Sequence, residues 1–239
     1  MLLDRLNRPL RGVRLVHRPS ATPDAAFRVQ VVPLRPLTRD EVERVKEHLL
    51  DRSGPIVTTA LSPAEQQPFL DCGFVARESL YLLRHNLDKD TNYRTEPARQ
   101  GNFKIRNARR SDLSTVLEID RDGFDDFWVF DRQSLNAARR ATPTHRYVVA
   151  TDQRSVVGYA VTGHAGTTSF LQRLGVARSH RRRGVGGQLV VDALRWASSH
   201  GARTMLVNTQ EINQGARSLY EAHGFVLDDQ RLTVLKWEP

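Results

Sequence analysis

The stretch 174–191, LGVARSHRRRGVGGQLVV, limits what this chain can fold into more than any other. An apolar run over 170–176 stops, a basic turn follows, and Gly184, Gly186 and Gly187 open an apolar-periodic segment. That order spells strand, loop and helix start. The first amides of a helix have no intrahelical acceptor and sit at the positive end of its dipole. Arg181 and Arg183 add charge beside them, and the glycines leave the backbone open to close approach. A phosphate, above all a pyrophosphate, is the natural ligand of such a nest.

Two common phosphate motifs do not fit. A P-loop needs Gly-Lys-Ser/Thr, and here Gly187 is followed by Gln188 and Leu189. A dinucleotide fingerprint needs a third glycine in register and an acid about twenty residues on, and 204–207 carry no carboxylate. Two readings remain at this point: a solvated basic turn before an ordinary helix, or Arg181-x-x-Gly184-x-Gly186 as a pyrophosphate loop. The second pattern resembles the acyl-CoA loop of the GNAT N-acetyltransferases.

Composition sets the class. With 39% apolar and 26% charged residues the chain is globular. No apolar run nears the roughly 18 residues of a membrane span. The first residues include an early Asp4 and no continuous apolar core, a poor secretory signal. Cys72 is the one cysteine, so no internal disulfide forms, and the eight histidines show no ligand spacing. The expectation is a cytoplasmic protein with no metal and no membrane partner. A net charge of +9 raises nucleic acid as a partner. The cations are overwhelmingly arginine and are not interleaved with aromatics, so no stacking platform is visible.

The periodicities predict strands over 12–17, 27–34, 55–61 and 75–85, with helices from a Thr38 cap to 51 and over 62–71. The polar run after 85 reads as a linker. This divides the chain into a smaller α/β unit at 1–88, a linker at 89–102, and a main domain at 103–239. In the main domain, a strand over 103–108 precedes a helix capped by Ser111, with Leu113, Val116, Leu117 and Ile119 inward. A short helix at 132–140 follows, then strands at 147–151, 156–163 and 168–176. The glycine-loop helix presents Leu189, Val190, Ala193, Leu194 and Ala197 and stops at Gly201. A strand at 204–209, a helix at 214–222 and a closing pair of strand segments at 225–237 complete an α/β layer on a mixed sheet.

That order of elements is also the order of the GNAT fold. Downstream stands Asn213-x-x-Ala216-x-x-Leu219-Tyr220-Glu221-x-x-Gly224-Phe225, similar to the second motif of that family. With two motifs in order on the expected elements, 103–237 is identified as a GNAT-like acyl-CoA N-acyltransferase domain. The narrower resemblance is to bacterial ribosomal-protein alanine N-acetyltransferases. The resemblance implies acetyl-CoA as co-substrate and an amine as acceptor. It implies that amides of Arg183, Gly184, Val185, Gly186 and Gly187 hold the pyrophosphate with Arg181 beside it. Leu174 and Val176 would pair with the pantetheine arm through their main chains, and the Val176 amide would face the developing oxyanion. Asn213 would lie near the cofactor, and Tyr220 would donate to the departing sulfur.

One expected group is missing. The ribosomal-protein enzymes carry a glutamate five residues before the motif asparagine, and here that position is Asn208. Glu211, Asp125 and Asp126 are nearby acids that read as solvated surface charges. Trp128 suits either an acceptor cleft or a packed corner, and His164 and His180 show no partner in the sequence. Beside the N-acetyltransferase stand two other readings, a non-catalytic acyl-CoA-binding regulatory module and a basic nucleic-acid-associated protein. Pairing between chains is a further expectation.

The first half repeats part of the second. At an offset of 151 residues, Gly73-Phe74 falls on Gly224-Phe225, Phe69 on Tyr220, and Ile56-Val57 on Val207-Asn208. This reads as a degenerate partial GNAT copy without its own acyl-CoA site, because Pro33 and Pro36 have no N–H to offer and Phe69 has no hydroxyl.

Overall fold

The computed structural model describes residues 10, 12–19, 27–50, 54–88 and 103–238. The expected linker at 89–102 lies outside the described residues. The chain divides into two compact units, Met1–Tyr81 with Asp229–Pro239, and Leu82–Asp228.

In the first unit, β1 (Val13–Pro19) pairs antiparallel with β2 (Phe27–Pro33). Helix α1 (Arg39–Leu49) leads from β2 to β3 (Ile56–Leu61), which pairs parallel with β2. Helix α2 (Pro63–Leu70) leads on to β4 (Val75–Asn86). The residues at each helix start explain why it forms there. Thr38 accepts from the Glu41 amide, and the Glu41 carboxylate accepts from the Thr38 amide at 2.9 Å, closing a capping box. Glu65 does the same for Ser62 at 2.9 Å. Val42, Val45 and Leu49 then share one face of α1 and pack with Val31, Ile56, Phe69 and Leu235. Cys72 is buried in this core, and burial pushes its thiol up to about 11.

The final strand, β10 (Val226–Trp237), is one continuous element and not the expected pair of segments. Its residues 233–237 pair antiparallel with β3, across a slip between Val234 and Lys236. Residues 229–239 therefore belong to the first unit, although the sequence groups them with the second half. Conversely, 82–86 of β4 belong to the second unit.

The second unit continues with β5 (Lys104–Asn107), α3 (Leu113–Gly123), α4 (Arg132–Arg139), β6 (Thr144–Asp152), β7 (Ser155–Ala165) and β8 (Thr168–Val176). Then come α5 (Val185–Ser199), β9 (Thr204–Gln210) and α6 (Gln214–Glu221). The strands lie in the order β4-β9-β8-β7-β6-β5. The pairs β5–β6, β6–β7 and β7–β8 are antiparallel and β8–β9 is parallel. Past β4, the Leu87 amide donates to Arg203 O at 2.8 Å. Leu189, Val190, Ala193, Leu194 and Ala197 of α5 are all buried, as their spacing predicts.

Ser111 does not cap α3. A 3₁₀ turn, Arg110–Asp112, precedes the helix, and the Asp112 carboxylate takes the Arg109 amide at 2.6 Å. Arg106 of β5 grips the same carboxylate at 2.7 and 2.9 Å, which holds Asp112 well below the usual carboxylate range. A charged, bidentate partner selects Asp112 over the neighbouring hydroxyl.

Candidate active site

The site begins with a fault in the sheet. On β8, Arg173 faces Val161 and Leu171 faces Thr162, so Gln172 is an extra residue, a β-bulge. Pairing of β8 with β9 covers only Thr168–Phe170 against Thr204–Leu206. Beyond the bulge the two strands no longer pair, and β8 has an open edge. The Ala177 amide donates to Val157 O at 2.9 Å, and Val176 faces Gly158. Alternation along the ladder then turns the amides of Leu174 and Val176 away from β7, toward that open edge.

The loop 177–184 follows at once. Arg182 and Gly184 have φ of +62° and +87°. Gly184 is the N-cap of α5 and supplies no side-chain acceptor. The first amide to find a helix acceptor is that of Gln188, which donates to Gly184 O at 3.1 Å. Among the described residues, the amides of Val185, Gly186 and Gly187 have no capping partner. Three donors at the positive end of a four-turn helix stand open.

The three glycines have different jobs. Gly184 is required by its left-handed φ. At Gly186, by contrast, a Cβ would stand 3.1 Å from Leu219 Cδ2 and 3.8 Å from Val176 Cγ2, and at Gly187 it would stand 2.9 Å from His223 Nε2. These two let α6 approach α5 closely. Gly186 and Gly187 thus stand against α6 as well as at the start of α5. As a result the end of β8, the start of α5 and the end of α6 converge around Gly186.

Arg181 is also committed. Its Nε donates to Val176 O at 3.1 Å and its Nη2 to Asp122 O at 3.2 Å, so it fastens the loop to β8 and α3. It occupies the Val176 carbonyl and leaves the Val176 amide as the free main-chain group there. Arg183 is exposed, 3.7 Å from Asp152 Oδ2, and His180 Nε2 lies 3.3 Å from the same oxygen. His180 and His164 thus both have partners, the latter Ser169 Oγ at 3.0 Å from its Nδ1.

On α6, Asn213 is the N-cap, its Oδ1 accepting from the Ala216 amide at 3.0 Å. Tyr220 is buried, with its ring 5.8 Å from that of Phe225. Burial pushes its hydroxyl up to about 12, with the Arg173 charge acting the other way. The phenol keeps its proton across the physiological range. Asn208 and Glu211 are exposed. Asp125 Oδ1 accepts from the amides of Phe127 and Trp128 at 3.0 and 3.2 Å, and its Oδ2 accepts from Gln210 at 3.2 Å. It organises the α3–α4 connection while remaining an exposed surface acid.

The sequence reading misses one group altogether. Asp120 is fully buried and accepts from Arg173 Nε and Nη2 at 2.7 and 2.8 Å, from the Tyr159 hydroxyl, and from the Phe130 amide at 2.6 Å. Arg173 also donates to Trp128 O at 2.7 Å and lies between the rings of Phe124 and Phe130. A signal was present. Asp120 follows Val116 by four on the apolar stripe of its helix, and Arg173 shares strand parity with Gly175.

Residues 113–225 match the model described as Acetyltransferase (GNAT) family, so the chain carries a GNAT acetyltransferase domain. Rat N-acetyltransferase 8F1 is 34% identical over 67 residues, which is 28% of this chain and 30% of that protein. The match thus spans less than a third of that relative. Among solved structures, a tandem GNAT protein from the clavulanic acid biosynthesis pathway gives a TM-score of 0.69 at 14% identity, covering 95% of this chain and 78% of its own. A GCN5-related N-acetyltransferase from Sphaerobacter thermophilus gives 0.61 at 14% identity, covering 95% and 76%. One from Kribbella flavida gives 0.60 at 15%, covering 98% and 91%. These likenesses are of fold. Among the described residues, no helix is long and apolar enough to cross a membrane, and no group of three His, Cys, Asp or Glu side chains is placed to hold a metal.

Proposed function

We propose that the chain transfers an acetyl group from acetyl-CoA to a primary amine. The observation that carries this reading is the row of uncapped amides at Val185, Gly186 and Gly187, next to the open edge of β8. A pyrophosphate fits the first feature, and an amide-rich arm fits the second as an added strand. Neither needs a side chain that is absent.

In this reading the amides of Arg183 through Gly187 hold the pyrophosphate, and Leu174 and Val176 hold the arm through main-chain bonds. The Val176 amide polarises the thioester carbonyl, whose oxygen gains charge as the amine attacks. A C–N bond forms, the C–S bond breaks, and the Tyr220 hydroxyl gives its proton to the leaving sulfur. The surplus proton of the amine passes to solvent, and one returns from solvent to the Tyr220 oxygen, so the step closes with no net proton released. With Asn208 in place of a glutamate, the amine enters already neutral, and rate should rise with pH until the acceptor itself has lost its proton.

We also read the first unit as a partial copy of the second. At the same offset of 151 residues, α2 (Pro63–Leu70) falls on α6 (Gln214–Glu221) and β4 (Val75–Asn86) on β10 (Val226–Trp237). The helix ends repeat bond for bond: Phe74 N–H to Phe69 O, and Phe225 N–H to Tyr220 O. Gly73 and Gly224 have φ of +83° and +81°. The copy holds no second acyl-CoA site.

The test is a calorimetric titration with acetyl-CoA, followed by a panel of amines and N-terminal peptides with a free-thiol readout. One equivalent bound per chain and thiol release with at least one amine is the expected result. No binding would overturn the reading, and binding without turnover would favour the regulatory module.

A further inference from the structure

The amide of Leu174 looks into the open edge, yet among the described residues no strand pairs with it there. Both of its neighbours are held from the opposite face, and by one carboxylate. Arg173, the first residue after the bulge, makes two hydrogen bonds to Asp120. At Gly175 a Cβ would stand 2.6 Å from Tyr159 Cε1, so the Tyr159 ring fills the space where a side chain would be. That ring is tethered by its hydroxyl to the same Asp120. Asp120 is 0% exposed and Arg173 8%.

A β-bulge loosens the ladder and frees a strand to twist. Here the twist would rotate the very peptide units that face the thioester. A buried ion pair is a poor source of stability against an apolar replacement, and its best-attested use is to fix one arrangement among several. The guanidinium fork is planar and bidentate, so it fixes orientation as well as distance.

We propose that Asp120, Arg173 and Tyr159 are positioning residues for acyl transfer, which set the direction of the Leu174 and Val176 amides on the bulged edge of β8. This rests on the acetyl-CoA reading above. None of the three touches the reacting atoms. They act through the main chain of 173–176.

The experiment compares Arg173→Lys and Tyr159→Phe with the wild type and with Arg106→Lys, which weakens a bidentate pair on β5. Two readouts are taken: the affinity of acetyl-CoA relative to CoA, and the infrared stretch of bound acetyl-CoA labelled with ¹³C at its carbonyl. A carbonyl that accepts well-aimed hydrogen bonds absorbs at lower frequency. Arg173→Lys and Tyr159→Phe should return the stretch toward its value in water. They should also cost acetyl-CoA its preference over CoA by about threefold to tenfold, the worth of one weakened hydrogen bond. Arg106→Lys should change neither, even if all three melt lower. Should Arg173→Lys fail to fold, Tyr159→Phe keeps the ring over Gly175 and decides alone. Unchanged stretch and preference in a folded Tyr159→Phe would overturn the inference. A wild type that binds neither acetyl-CoA nor CoA would instead overturn the acetyltransferase reading, and this inference with it.

Discussion

Two helices of this chain follow strands in the same βαβ setting and begin in opposite ways. At α1, Thr38 caps the helix and the Glu41 carboxylate lies on the Thr38 amide. Arg35 grips that carboxylate at 2.6 and 3.0 Å, chiefly by hydrogen bonding, and holds it down to about 2. At α5, Gly184 offers nothing, and the amides stay open. The first helix carries its own anion and the second leaves room for one. The difference also shows in length, since α1 has 11 residues and α5 has 15. In the proposed repeat register α1 begins at 190, five residues after the start of α5.

That contrast can be broken in several ways. The harshest is truncation before residue 102. It removes 82–86 from the second unit and leaves 229–237 without β3, so the fragment should show no cooperative melt in circular dichroism. A folded, acetyl-CoA-binding fragment would mean that the units are independent after all.

Next comes Gly184→Asp, which puts a Cβ on a left-handed residue and a charge against the open donors. Acetyl-CoA affinity should fall by about a hundredfold or more in calorimetry. Retained affinity would place the ligand elsewhere.

Tyr220→Phe should lower kcat by about tenfold to a thousandfold with KM for acetyl-CoA little changed. The reverse change at the equivalent residue, Phe69→Tyr, should create no activity, because the start of α1 is occupied by its own Thr38–Glu41 capping box. Burial raises the Tyr220 hydroxyl from 10.0 to about 12. The neutral phenol is therefore favoured in the folded state. Its contribution to stability is complete below pH 10 and is lost as pH rises through 12. A Tyr220-dependent fall in rate below pH 9 would contradict this.

The smallest effect belongs to Thr38→Ala, about 1 kcal/mol of stability in denaturant titration with acetyl-CoA affinity unchanged. Glu41 shifts in the other direction. Its contribution is present above its ordinary 4.5 and disappears as pH falls toward 2. Glu41→Gln should flatten the acid limb of the melting curve over that window.

How much of this the sequence disclosed varies with the range of the interaction. The capping of α1, the glycine loop and the inner face of α5 are local, and local spacing announces them. The jobs of Gly186 and Gly187 were not legible, because Leu219 and His223 lie some thirty-five residues away and only packing brings them near. Asp120 and Arg173 were hidden for a related reason. Each looks like a solvated charge until the other is placed beside it. The reading of α1 as closed rests on Pro33 and Pro36, and the structure adds the Glu41 carboxylate on the Thr38 amide. Glu41 stands at the capping-box position, three residues after Thr38.

The exchange of closing strands has a consequence for how this protein is made. The first unit's sheet needs 229–237 beside β3, and those residues leave the ribosome about 170 residues after β3 does. At about 5–20 residues per second, the unit made first waits roughly ten to thirty seconds for its last strand. Through that interval β3 is an unpaired strand edge, a template for any extended chain nearby. The half without a proposed catalytic role is thus the one most in need of a chaperone. Loss of 229–239 would take from the first unit the strand that pairs with β3.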